Sequence, residues 1–287
     1  MDFLRHFDLS KKKTGWKISF FIFLVMFLLG SFQEFEAIQL TDIKPVSETG
    51  QRYLMMLLCF GLLLLYLIPF FIFIRWTTKK LHLSRLLPLI SFFAGWFIPG
   101  WIAGQLNEDF EMLFNNMHLS QNAVDWLEAI QTPIIEETLK VLTVVWLLIL
   151  IGKRERKDYL ITGMCAGMGF QISEDLEYIE EQIGGSHKDF MNAIPFTLDS
   201  RIENSLESHW CYTALMSLGV YYFFIQKNRK KGLLLMLAAL VDHGLWDAPG
   251  TSDIGTEALI GAVLLFIFFF EYVRIMQEDT VEMVKQS

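Results

Sequence analysis

Cysteine is scarce in this 287-residue chain. Cys59, Cys165 and Cys211 are the full complement, all in apolar stretches and without a CxxC pair. That excludes a disulfide framework or a zinc knuckle and leaves three small buried side chains. Two hydrolase signatures are also missing: there is no HExxH helix to bind zinc and no G-x-S-x-G turn to expose a serine nucleophile. Basic residues do not dominate either. Lysine and arginine number 24 against 32 acids, and the net charge of −8 points away from nucleic acid. No internal repeat, long linker or soluble domain is legible. After the first apolar run stands Gly30-Ser31-Phe32-Gln33-Glu34, with no A-x-A-like cleavage site. The run that follows Lys11-Lys12-Lys13 therefore reads as an uncleaved transmembrane helix, not a signal peptide.

What is abundant is apolar surface: 53% of the residues are hydrophobic and 15% aromatic. Eight apolar segments can be read, at residues 16–32, 53–76, 86–104, 133–151, 159–179, 209–225, 232–246 and 254–275. Several approach the roughly 18–20 residues that cross a ~30 Å hydrocarbon core. Charge placement orients them. Nineteen lysines and arginines fall in the termini and alternate loops, against four (Lys44, Arg52, Lys188, Arg201) on the other side. The positive-inside rule then predicts an all-α, polytopic transmembrane bundle of about eight helices with both termini cytoplasmic. The expected organisation is one integral membrane domain over 1–287, with catalytic core helices at 133–247. Long extracytoplasmic loops are expected at 105–132 and 180–208, the first containing an amphipathic stretch around Ala123–Ile130.

Ionisable groups inside a bilayer are expensive and mark function. The fourth segment contains Glu136, Glu137 and Lys140, at helical spacings that let the lysine neutralise one acid. Such a pair suits a site where one carboxylate stays ionised and the other shares a proton. The fifth places Phe170 and Glu174 on one face, the sixth begins at His209, and the seventh sets His243 one turn from Asp247. Each motif alone also fits an ordinary helix end. Their depth unites them. At ~1.5 Å per residue from the basic end, Glu137 and Glu174 lie roughly 21–24 Å up, His209 roughly 27 Å and His243 roughly 18 Å. One level in the outer third of the membrane therefore holds acids and histidines from four helices.

The chemistry this offers is hydrolysis. A carboxylate deprotonates water while a histidine donates a hydrogen bond or proton. Zinc held by His209, His243 and Glu174 is the other way to activate water. A transporter or channel using the same polar cluster is an alternative, and a catalytically silent membrane scaffold is another. The inner halves of helices four, six and seven carry almost no polar residues, which weighs against an ion path.

These residues resemble the PrsW family of intramembrane proteases, whose pattern is EExxK, FxxxE, a histidine and HxxxD. Here they are Glu136-Glu137-x-x-Lys140, Phe170-x-x-x-Glu174, His209 and His243-x-x-x-Asp247, spread over 133–247. Arg201 ahead of His209 also fits. The related CAAX prenyl-endopeptidases and bacteriocin-immunity proteins carry EExxxR and FxxxH, from which Lys140 and Glu174 depart. The resemblance implies site-1 cleavage of a single-span, membrane-anchored anti-sigma factor on the extracytoplasmic side. It implies catalytic roles for Glu136, Glu137, Lys140, Glu174, His209, His243 and Asp247, with Phe170 and Arg201 at the substrate. It leaves open whether catalysis depends on a metal or on glutamate alone, and says nothing of oligomeric state.

Overall fold

The computed structural model describes residues 13–40, 46–184, 190–251 and 254–286. Of the basic residues used above for orientation, Arg5, Lys11, Lys12, Lys44 and Lys188 lie outside them. The described chain is all helical. Nine long helices run in order: α1 (Thr14–Ala37), α2 (Thr49–Lys80), α3 (Leu86–Phe97), α4 (Pro99–Asn116), α5 (Gln121–Ile151), α6 (Arg156–Gly184), α7 (His209–Val220), α8 (Arg229–Trp246) and α9 (Ile254–Gln286). The break between α3 and α4 falls at Ile98, where Pro99 occupies the first turn of the new helix. Helix α5 stops at Gly152, whose φ of 71° gives the left-handed cap that side chains with a Cβ resist.

α6 is the centre of the bundle, buried along nearly its whole length from Asp158 to Leu176. It packs most extensively on α3 and α7, with α2 and α5 also against it, and α8 packs in turn on α7 and α5. Two glycines make this closeness possible. A Cβ on Gly167 would lie 2.2 Å from the His209 carbonyl oxygen, and one on Gly169 would lie 2.0 Å from that of Phe92. Small residues bring backbones together in this way where lipid supplies no hydrophobic drive between helices.

Four stretches are long and apolar enough to cross a membrane: Thr14–Glu36, Val46–Lys80, Leu86–Asn116 and Gly255–Asp279. The protein is thus an all-α polytopic membrane protein, but the expectation of about eight spans is corrected to four such helices among the described residues. The reason is visible in the other four. α7 is 12 residues long with a five-residue π-helical turn after it, short of the ~20 needed. α8 has 18 residues, beginning Arg229-Lys230-Lys231 and carrying Asp242 and His243. α5 and α6 are long enough but bear Glu136, Glu137, Lys140, Asp158, Glu174 and Asp175. The apolar stretches show bare side chains such as Leu57 and Phe266, 65% and 74% exposed, as lipid-facing residues should be.

Residues 105–132 are largely helical, with the amphipathic stretch Ala123–Ile130 inside α5. α4 extends to Asn116 and α5 begins at Gln121, so only a short turn is irregular. The reason is that acids such as Glu108 and Glu111 ride on the exposed face of a continuing helix. Of the 180–208 segment, residues 185–189 lie outside the described residues, and short helical turns fill 190–205.

Candidate active site

Four helices deliver the site, each by a local rule. On α5, Glu136, Glu137 and Lys140 stand three and four residues apart, so their side chains meet on one face. Lys140 Nζ lies 3.2 Å from Glu136 Oε2 and 2.6 Å from Glu137 Oε1. The lysine and Glu137 are completely buried. From the start of α7, His209 Nδ1 is 2.7 Å from the same Nζ, and the Phe170 ring of α6 covers the ammonium at 3.8 Å. Glu136, Glu137 and His209 thus share one cation.

His243 comes from the last turns of α8. Its Nδ1 is 3.4 Å from Glu137 Oε1, and its Nε2 is 3.9 Å from Glu136 Oε2 and 3.6 Å from Asp247 Oδ2. The Tyr212 ring stacks on the imidazole at 4.6 Å and 3°, which fixes its plane. On its other side His209 presents Nε2 to Glu174 Oε2 at 3.2 Å. Arg201 spans Glu174 and Asp175, at 2.5 Å from each, while Tyr66 donates to Asp175 at 2.5 Å and Gln171 at 2.8 Å. A fork that holds two carboxylates is a task for arginine.

All nine residues singled out in the sequence are therefore brought together. Arg201 is engaged by the two acids of α6 and also lies over the Tyr178 ring at 4.6 Å. Others carry no motif. Thr213 donates to Glu137 Oε2 at 3.1 Å. Asn107 donates to Glu136 Oε1 at 3.3 Å and is itself held by Gln131 at 2.8 Å. Thr213 was within reach of sequence reasoning, since it follows His209 by one helical turn. Tyr66 and Asn107, brought from distant helices, leave no such signal.

The site opens into a cavity of about 800 Å³ between α4, α5, α6, the 201–208 segment and the end of α8. Glu136, Glu174, His209, His243 and Asp247 line it, whereas Glu137 and Lys140 do not reach its wall. The two adjacent glutamates thus differ in access. Glu136 can meet a water or a peptide, and Glu137 is sealed behind it.

One atom from each of Glu136, His209 and His243 falls within 4.8 Å of the others, and His243 Nδ1 is buried without a hydrogen-bond partner. Two imidazole nitrogens and a carboxylate oxygen are a donor set that fits zinc. The carboxylate of this set is Glu136; Glu174 stands on the far side of His209, held by Arg201. Lys140 Nζ touches two of the three donors.

The model of the PrsW family intramembrane metalloproteases matches residues 84–273. No curated protein and no solved structure matches the chain.

Proposed function

The chain belongs to the PrsW family of intramembrane proteases, and from that premise we propose that it cleaves a single-span membrane protein by water activated on Glu136. The observation that carries this reading is the unequal access of the paired glutamates. Glu136 lines the cavity while the enclosed Glu137 fixes Lys140, Thr213 and His243 behind it. Glu136 accepts the proton of a water in the cavity. Lys140 Nζ stands 3.2 Å from that carboxylate and pairs with it in a buried setting. His243, held by the Tyr212 stack, lies beside the oxygen that the attacked carbonyl develops and stabilises it as a donor. The proton taken up by Glu136 passes to the leaving amine, and His209, braced between Lys140 and Glu174, lines its path.

A second reading is favoured by the zinc-like donor set. In that reading Glu136, His209 and His243 hold a zinc ion, which when bound acidifies a water and polarises the scissile carbonyl.

Basic residues cluster at the opposite end of the bundle, around Arg156, Lys157, Lys231 and Arg274. This supports a site towards the extracytoplasmic side, by the positive-inside rule. The family resemblance supports a membrane-anchored protein of the anti-sigma-factor type as substrate.

The test uses purified protein in liposomes with a single-span substrate. Bound zinc is quantified and cleavage is followed with and without chelator. Glu136→Gln should lower cleavage by about 10²–10⁴-fold, the usual weight of a general base. Cleavage by Glu136→Gln at the wild-type rate would end the proposal. Insensitivity to chelator selects the carboxylate reading, and loss of activity restored by added zinc selects the metal one.

A further inference from the structure

The wall of the site's cavity carries far more negative charge than the proposed chemistry uses. Beyond Glu136, Glu174 and Asp247, it includes Glu108 and Glu111 from α4, Asp125 and Glu128 from α5, and Glu177 and Glu181 from α6. Its one permanent cation, Arg201, is already held by Glu174 and Asp175. Among the described residues, none of Glu108, Glu111, Glu128, Glu177 or Glu181 pairs with a lysine or arginine. Acids on an aqueous helix face need no partner when they point apart. These come from three helices that face one another across one cavity, where like charges add to a strong local potential.

On α5 and α6 the acids lead away from the proposed reacting atoms, Glu177 and Glu181 following Glu174 by three and seven residues. Glu128 and Asp125 precede Glu136 by eight and eleven residues on α5, which contains Pro133 between them and the site. At the helical rise of ~1.5 Å these displacements are about 12 and 16 Å. An extended peptide advances ~3.3 Å per residue, so the acidic wall accompanies a substrate at about three to five residues from the scissile bond.

We propose that this wall docks a cationic juxtamembrane stretch of the substrate, with lysine or arginine about three to five residues from the cleaved bond. The inference rests on the protease reading and adds a substrate class to it. The apolar part of the substrate stays in lipid, its flanking lysines enter the acidic cavity, and the intervening bond is drawn up to Glu136. Complementary charge of this kind acts through specificity and capture rate, so its effect appears in kcat/KM and fades as salt rises.

The experiment reconstitutes the full-length protein in phosphatidylcholine liposomes, whose lipid carries no net charge. Two single-span substrates differ only in a stretch on the cavity side that is all lysine in one and all glutamate in the other. The lysine substrate should be cleaved with a kcat/KM about tenfold higher or more at low salt, with the gap narrowing at high salt. A Glu111→Lys, Glu128→Lys double variant should reverse the order. Equal cleavage of the two substrates overturns the inference and leaves the protease reading standing. If neither substrate is cleaved, fluorescence binding of the same pair decides. Salt-sensitive preference for lysine then upholds the docking surface while the protease reading falls. Equal binding overturns the docking surface too.

Discussion

Removing the ammonium from the centre of the site is the severest single test of how it is held together. Lys140→Met keeps much of the side chain's bulk but deletes a charge that stands 2.6 Å from Glu137 and 3.2 Å from Glu136. The enclosed Glu137 gains no water in exchange. Glu137 is 0% exposed and Glu136 5%, and the Phe170 ring seals the near side. Glu137 keeps Thr213 as a donor, but one hydroxyl does not replace an ammonium. Breaking a buried pair by deleting one partner costs about 3–5 kcal/mol. At about 2–4 °C per kcal/mol for a chain of this size, the melting temperature should fall by about 6–20 °C. The assay is thermal unfolding in detergent, followed by the fluorescence of the eight tryptophans. Adding Glu137→Gln to Lys140→Met removes the stranded charge, so the double variant should regain most of the lost stability while remaining inactive. A single variant that melts within about 2 °C of wild type would refute the placement of Lys140 as the counter-ion.

Other substitutions probe the supports of the site. Gly167→Ala drives a methyl group to 2.2 Å from the His209 carbonyl oxygen, and overpacking of this kind costs about 1–3 kcal/mol, read as a lowered melting temperature and lost cleavage. Gly61→Ala, with nothing within 4 Å of the new methyl, is the matched control and should melt no lower than wild type. Arg201→Lys keeps the charge but cannot reach Glu174 and Asp175 together; kcat should fall about tenfold with KM little changed, because Glu174 then holds His209 less firmly.

Much of the site was legible because its motifs are local. Glu136, Glu137 and Lys140 meet through helical spacing alone, as do His243 and Asp247, and no tertiary knowledge is needed to put them on one face. Depth along each helix then placed four motifs at one level, and the 5.1 Å between the rings of His209 and His243 is the outcome. Sequence spacing is silent about contacts between distant helices. Tyr66 meets Asp175 across 109 positions and Asn107 meets Glu136 across 29. Neither could be found by counting along a single helix. The choice between Glu136 and Glu137 was equally hidden, because adjacent residues point about 100° apart on a helix and only the surrounding helices decide which one meets the cavity.

The number of spans misled for a related reason. An apolar run records that a helix avoids water; it does not record whether lipid or protein covers it. Residues 159–179 read as a transmembrane segment, yet protein encloses most of it: Leu160, Ile161 and Ile172 are all fully buried. Such a helix is free to carry Glu174 and Asp175 within its length, where Arg201 pairs with both. The four long apolar stretches have no such freedom, and the sequence keeps their centres almost free of charge. The acids and histidines that suggested a site are thus also what separates the other four helices from the apolar spans. A charge tolerated by a neighbouring helix disqualifies its own helix as a bare span, so the features that made the site visible made the span count too high.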